Sequence, residues 1–171
     1  MGSCFFIFIQ KEISWLINLI VSNMKLEDEI KQTRFKSIHH KAVLNLIFTS
    51  NWLQSQQQVY FKDSGITAHQ FNILRILKGQ HPNAISATEI KSRMLDRNSD
   101  ISRMLDRLIS KGLVTKSTCP NDKRATDVSI TEAGLTLLQS LDKKQKEIDR
   151  VLLLSEDEAH QLSVLLDKAR G

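Results

Sequence analysis

Between Ser86 and Ile130, two short helical segments run straight into two β-branched runs, and this order leaves few folds open. The stretch "SATEIKSRML" begins with a serine followed three residues later by a glutamate. In that arrangement a hydroxyl caps a helix while the carboxylate reaches back, and Ile90 and Met94 share the inner face. After "LDRN", residues 98–111 carry Ile101, Leu105 and Leu108 at helical spacing, and Gly112 supplies the usual stop. Two short amphipathic helices joined by a few polar residues predict a helix-turn-helix. "LVTKST" and "TDVSI" then flank "CPNDKRA", with Val128 and Ile130 alternating as a half-buried strand requires, so a hairpin with a long, charged tip is expected. A helix-turn-helix followed at once by a hairpin is a winged helix.

The flanks are helical as well. From Leu26 to Phe61 there is no Pro or Gly, and Ile30, Phe35, Ile38, Ala42, Leu46 and Leu53 recur on one face, which predicts one long helix in need of partners. "KDSG" ends it. Thr67 with Gln70 forms the next capping box, ahead of Phe71, Leu74 and Leu77, and Gly79 and Pro82 close that helix. Beyond the hairpin, Thr131 is placed to cap a helix carrying Leu137, Leu141, Ile148 and Leu152. Ser155 with Glu158 caps a last one carrying Leu162, Leu165, Leu166 and Ala169. The fold class is therefore mainly α: a winged helix-turn-helix with a two-stranded hairpin wing and long terminal helices.

Charge follows the same map. The chain carries a net +5, and between Ser86 and Thr126 nine bases face five acids, so this segment holds +4 of that excess. A recognition helix fits the major groove of duplex DNA, and a loop bearing a guanidinium fits the narrow, electronegative minor groove beside it. Lys123 and Arg124 supply the cations at the tip, Asp122 can hold the arginine fork in one orientation, and Pro120 and Asn121 stiffen the turn.

With these residues in view, the sequence resembles the MarR family of winged-helix transcriptional regulators over roughly residues 35–170. "ITAHQFNILRIL" is similar to the family's second helix, "DISRMLDRLISKGLV" to its recognition helix and exit, and "NDKRATDVSITEAG" to its wing and following helix. The resemblance implies that Arg103 is the recognition-helix arginine and that Asp122 and Arg124 are the wing's Asp-x-Arg pair. It implies a homodimer formed through N- and C-terminal helices, a pseudo-palindromic double-stranded DNA operator as partner, and repression relieved by a small-molecule effector or oxidant. The organisation expected is a dimerisation helix over 24–62, a DNA-binding region over 63–131 and C-terminal dimerisation helices over 132–171, while residues 1–23 stand apart as an apolar extension, since nothing before Met24 matches the family.

Asp100 departs from the family pattern by placing a carboxylate on the first turn of the recognition helix, where it suits the helix dipole and can accept from a cytosine amine but repels phosphate. Asn98, Ser99 and Ser102 are expected to touch bases or phosphates while Asp100 shapes selectivity. Arg107, like Arg93 and Arg97, fits a phosphate contact or simply a solvated helix face. Trp52, Tyr60 and Phe61 fit an effector pocket or core packing equally well.

Other chemistry finds little support. Cys4 and Cys119 stand far apart, Cys119 as a lone thiol in the expected loop, and neither belongs to a metal-binding or disulfide pattern. His39, His40, His69, His81 and His160 show no ligand spacing and read as surface or packing residues. No nucleophile elbow, P-loop, dinucleotide fingerprint or zinc-protease motif is present, so neither an enzyme nor a cofactor is expected. "FFIFI" and "ISWLINLIV" are too short to span a membrane, and neither a secretory nor a myristoylation signal precedes them. A translation start at Met24 and a cytoplasmic location are the favoured expectations, with an interfacial or dimer-packing helix over 1–23 as the second. Two rival readings stay open on sequence: a winged helix serving protein interaction without DNA, and a membrane-associated regulator anchored by residues 1–23.

Overall fold

The computed structural model describes residues 25–119, 122–142 and 151–171, with 118–119 and 122–126 described through their backbone alone. The apolar extension 1–23, the turn residues Pro120 and Asn121, and Ile148 lie outside the described residues. The chain divides into two units, residues 1–52 and 53–171.

In the first unit, the continuous helix expected from Leu26 is broken. A single turn, α1 (Leu26–Glu29), gives way to a non-helical stretch with Lys31 at a φ of 52°, and α2 (Ile38–Phe61) starts only after it. The break has a local cause that apolar spacing does not reveal. Ser37 Oγ accepts the backbone N–H of His40 at 3.0 Å, and His40 Nδ1 accepts that of Lys36 at 3.4 Å, so two amides are satisfied by side chains where the helix opens. An ion pair between Lys41 and Glu27 then ties α1 to the first turns of α2.

The second unit holds the core. Gly65, at a φ of 67°, turns the chain after a 3-10 turn over Lys62–Ser64, and α3 (Ala68–Lys78) follows with the expected capping box. Thr67 Oγ1 accepts the Gln70 N–H at 3.2 Å and Gln70 Oε1 accepts the Thr67 N–H at 3.1 Å. Ile85–Ser86 then forms an additional strand, β1, pairing antiparallel with β3 (Asp122–Ile130), so the sheet has three strands rather than two, with β3 between β1 and β2 (Val114–Cys119). Ser86 also caps α4 (Ala87–Arg93), accepting the Glu89 N–H at 3.1 Å. Glu89 does not reach back to complete a box, because its carboxylate pairs with Arg93 one turn along.

Helix α5 (Ile101–Ser110) begins later than residue 98, since Asp100 is its N-cap. It ends in a Schellman motif in which the Gly112 N–H donates to Ile109 O at 2.8 Å and the Leu113 N–H to Leu108 O at 3.0 Å, with Gly112 at a φ of 68°. In the hairpin, β2 (Val114–Cys119) pairs with β3 from Val114 opposite Ile130 to Thr118 opposite Thr126, and then Cys119 falls opposite Asp122. Residues 123–125 thus have no counterpart on β2 and form a bulge. The long tip read from sequence is largely strand, and Lys123 and Arg124 belong to that bulge.

Thr131 caps α6 (Glu132–Asp142) through the Gly134 N–H at 3.1 Å and donates its own hydroxyl hydrogen to Gly112 O at 2.7 Å. The last helix, α7 (Glu156–Arg170), opens with the capping box expected of Ser155 and Glu158. Ile73, Leu74 and Leu77 of α3, Ile90 of α4, Leu108 of α5, Val128 of β3 and Leu138 of α6 are completely buried in one cluster. Each such side chain contributes about 1.5–3 kcal/mol by leaving water. Phe61 joins them, buried and with its ring 4.9 Å from that of Phe71.

Candidate nucleic-acid interface

Burial divides α5 into two faces. Ile101, Leu105 and Leu108 point into the core, and that periodicity forces Ser102, Arg103, Asp106 and Arg107 outward on the opposite side. Arg103 is the most open of the charged pair it forms, 82% exposed against 57% for Asp100. The outward face therefore combines a hydroxyl, two guanidinium groups and a carboxylate on a helix whose ends are fixed by Asp100 and by Gly112.

Asn98 and Ser99 lie in the turn ahead of α5 rather than on it. Asp96 organises that turn: one carboxylate oxygen accepts the Asn98 N–H at 2.9 Å, and the other accepts the Ser99 hydroxyl at 2.8 Å. The same carboxylate lies 3.3 Å from His69 Nε2 on α3. Hydrogen bonds from the Ser99 hydroxyl and then the Asn98 amide, with His69 adding to them, hold the Asp96 carboxyl below the usual range. Ser99 is accordingly half-buried and committed to the turn, while Asn98 is exposed. Sequence reasoning passed over Asp96, although an Asp followed by Asn and Ser two and three residues on is a recognisable turn signal.

The wing is rooted on the same frame. β1 links the start of α4 to β3, and Thr131 links the end of α5 to the start of α6, so both helices of the helix-turn-helix are bonded to the sheet that carries the hairpin. Lys111, just beyond α5, hydrogen-bonds through its ammonium to Gly65 O. Asp122, Lys123 and Arg124 are placed by backbone register at the distal end of β3, and their side chains lie outside what the structure describes. Ser102, Arg103 and Arg107 are thus brought onto one surface, Asn98, Ser99 and Asp100 precede it, and the wing triplet sits on a separate projection.

Tyr60, half-buried, donates its hydroxyl to Leu141 O at 3.1 Å, a contact between the end of α2 and α6. Trp52 is also half-buried. Among the described residues no helix is long and apolar enough to cross a membrane.

Comparison with known proteins agrees with this geometry. A family model described as MarR family matches residues 66–126, from just after the 3-10 turn into β3. The multiple antibiotic resistance protein MarR of Salmonella typhimurium is 30% identical over 112 residues, covering 64% of this chain and 76% of that protein. Alignments with other curated regulators span from 59% to 90% of their own lengths. Among solved structures, a MarR transcription factor from Planctomyces limnophilus is 32% identical with a TM-score of 0.62, covering 78% of this chain and 98% of that one. A mutant MarR from E. coli complexed with operator DNA is 27% identical with a TM-score of 0.65, covering 85% of this chain and 98% of that one. The capped helix-turn-helix, the bulged wing and these similarities together show that the chain belongs to the MarR family of winged-helix transcriptional regulators.

Proposed function

We propose that the protein is a homodimeric DNA-binding transcriptional regulator, acting as a repressor at a pseudo-palindromic operator, with a small molecule or oxidant relieving repression. The observation that carries this reading is the outward face of α5, where Ser102, Arg103 and Arg107 project from a helix capped at both ends and bonded to the wing. In this reading α5 enters the major groove, Arg103 reads a base edge, Arg107 meets phosphate, and Asn98, Ser99 and Asp100 meet the DNA at the helix entrance. Asp122, Lys123 and Arg124 carry the wing's contact with the minor groove. The similarity to a regulator solved with operator DNA supports it.

Dimerisation is supported by apolar residues that the described chain leaves in water. On α2 these are Val43, Leu46, Ile47 and Val59, and on α7 Leu162, Val164 and Leu165. A dimer would set two copies of α5 about one helical turn of DNA apart, roughly 34–36 Å. An effector acts only by binding one spacing better than the other, since equal affinity shifts nothing.

The experiment is retardation of a labelled fragment from upstream of the protein's own gene, with random DNA as competitor at two salt concentrations. Competitor-resistant binding that weakens steeply with salt is the expected result. A correctly folded dimer that retards neither this fragment nor any duplex from a random library overturns the reading.

A further inference from the structure

The turn between the two helices of the helix-turn-helix is gripped from the side by α3. Asn72 Oδ1 accepts the backbone N–H of Leu95 at 3.1 Å, and His69 Nε2 lies 3.3 Å from a carboxylate oxygen of Asp96. His69 and Asn72 stand one turn apart on α3, so a single face of that helix holds two successive residues of the turn. Polar groups make this grip rather than apolar packing, since the Leu95 side chain is 91% exposed.

The two anchors differ in kind. The Asn72 amide is neutral at every pH, whereas histidine is the side chain that changes charge between about pH 5 and 8. Asp96, its partner, also accepts the Asn98 N–H and the Ser99 hydroxyl, and these bonds hold its carboxyl below the usual range, so it stays an anion across that interval. A neutral imidazole offers the anion one N–H, and an imidazolium adds a full charge. Other carboxylates on the elements packed against α3 are engaged elsewhere: Glu89 of α4 with Arg93, Asp100 of α5 with Arg103, and Asp142 of α6 with Arg75 and Lys78. Asp106 of α5, Asp127 of β3 and Glu132 of α6 form no ion pair with His69. Lys91 of α4 and Arg97 of the turn are cations of types that do not titrate in this interval.

We propose that His69 is a positioning residue for DNA recognition and makes it pH-sensitive: protonated, it clamps Asp96 and fixes the turn leading into α5, and neutral, it leaves that turn to Asn72 and to the hydrogen bonds within it. The inference rests on the DNA-binding reading above, which sets residues 98–100 against DNA at the helix entrance. A turn already held in its bound geometry loses less freedom on contact. Binding and the His69–Asp96 pair therefore favour one another, the complex holds the His69 proton more tightly than the free protein, and affinity rises as pH falls through the histidine range.

The test uses the full chain and a duplex recovered by the wild type from a random library, with affinity measured at about pH 5.5 and about pH 8 at constant ionic strength. Wild-type affinity is expected to rise on acidification, and His69→Gln to remove about two- to fivefold of that rise for each α5 engaged, as befits an exposed pair. Because His69 is exposed, this variant should keep wild-type melting. A cationic imidazole also attracts DNA directly, and a cycle with Asp96→Asn separates the two effects. Asparagine can still accept the Asn98 N–H but carries no charge, and in that background His69→Gln should change nothing at either pH. His81→Gln alters an exposed histidine beyond the end of α3 and, as the control, should keep the wild-type profile. A wild-type profile in His69→Gln, or an equal loss when Asp96→Asn is present, overturns the positioning role while DNA binding stands. A wild type that recovers no duplex at either pH overturns both.

Discussion

The carboxylate of Asp100 holds Arg103 twice, accepting its backbone N–H at 3.2 Å on one oxygen and lying 3.2 Å from its guanidinium Nε with the other. One residue thereby starts the recognition helix and steers the side chain that projects from its first turn. The pair is exposed, so its electrostatic contribution to stability is under about 1 kcal/mol. The contact is made through Nε, and in the DNA-binding reading proposed above the terminal nitrogens of Arg103 would then be free to meet an acceptor such as the O6 and N7 edge of guanine.

Serine caps helices nearly as well as aspartate, so two substitutions separate the roles of Asp100. Asp100→Ala should lose about 1 kcal/mol in urea denaturation, and Asp100→Ser only a few tenths. Both should broaden base preference in a selection from random duplexes. Retention of the wild-type preference by Asp100→Ser confines Asp100 to capping, and uniform tightening on all sequences makes it only a repeller of phosphate.

Gly134 is where α6 touches the root of the wing. A Cβ there would lie 2.3 Å from Leu113 O and 2.7 Å from Ile130 Cγ1, and the first of these is backbone that cannot rotate away. Gly134→Ala should destabilise by about 1–3 kcal/mol, read as a lower urea midpoint at unchanged slope. An unchanged midpoint would mean that α6 and the hairpin root separate without cost.

Asp142 joins α6 to α3 by accepting from Lys78 Nζ at 2.8 Å and Arg75 Nη1 at 2.9 Å. The hydrogen bond from Lys78, then its charge and that of Arg75, holds the Asp142 carboxyl below the ordinary range. The carboxylate is therefore stabilising above its unfolded-state titration, and that stability is lost as pH falls through its lower native value. Asp142→Asn should cost up to about 1 kcal/mol at neutral pH, given the pair's exposure. The denaturation curves of variant and wild type should converge in acid, and a gap that persists there would assign the loss to packing.

Arg124→Ala should weaken operator binding while leaving thermal unfolding and dimer mass at wild-type values, because the residue sits in a bulge remote from the buried cluster. Calorimetry and light scattering check the second half. A monomeric or unfolded variant would remove Arg124 from the list of DNA contacts.

Much of this architecture is legible in residue order. Thr67 with Gln70, Ser155 with Glu158, and Gly112 after Leu108 are cap signals whose chemistry is local, and each performs the expected bond. What escaped needed distant partners or weak signals. β1 is too short for alternation to show and exists because Val128 and Asp127 offer it an edge. The break before α2 rests on Ser37 and His40, a histidine in place of the usual acid or amide. For the site, the exposed face of α5 follows from three buried leucine and isoleucine positions. The pairing of Arg93 does not, because sequence treats Arg93, Arg97 and Arg107 alike and only the fold shows that Glu89 neutralises the first of them.

Helix α6 is an eleven-residue rod, about 16 Å long, secured at both ends. At its start, Thr131 and Gly134 join it to the exit of α5 and the root of the hairpin, and at its end Asp142 joins it to α3. The exit of α5 and the root of the wing are therefore like the hinge block of a calliper, cut from one frame. In the DNA-binding reading proposed above, the jaws that spring from it are α5 and the wing, and the gap between them is a gauge against which a pair of grooves is measured.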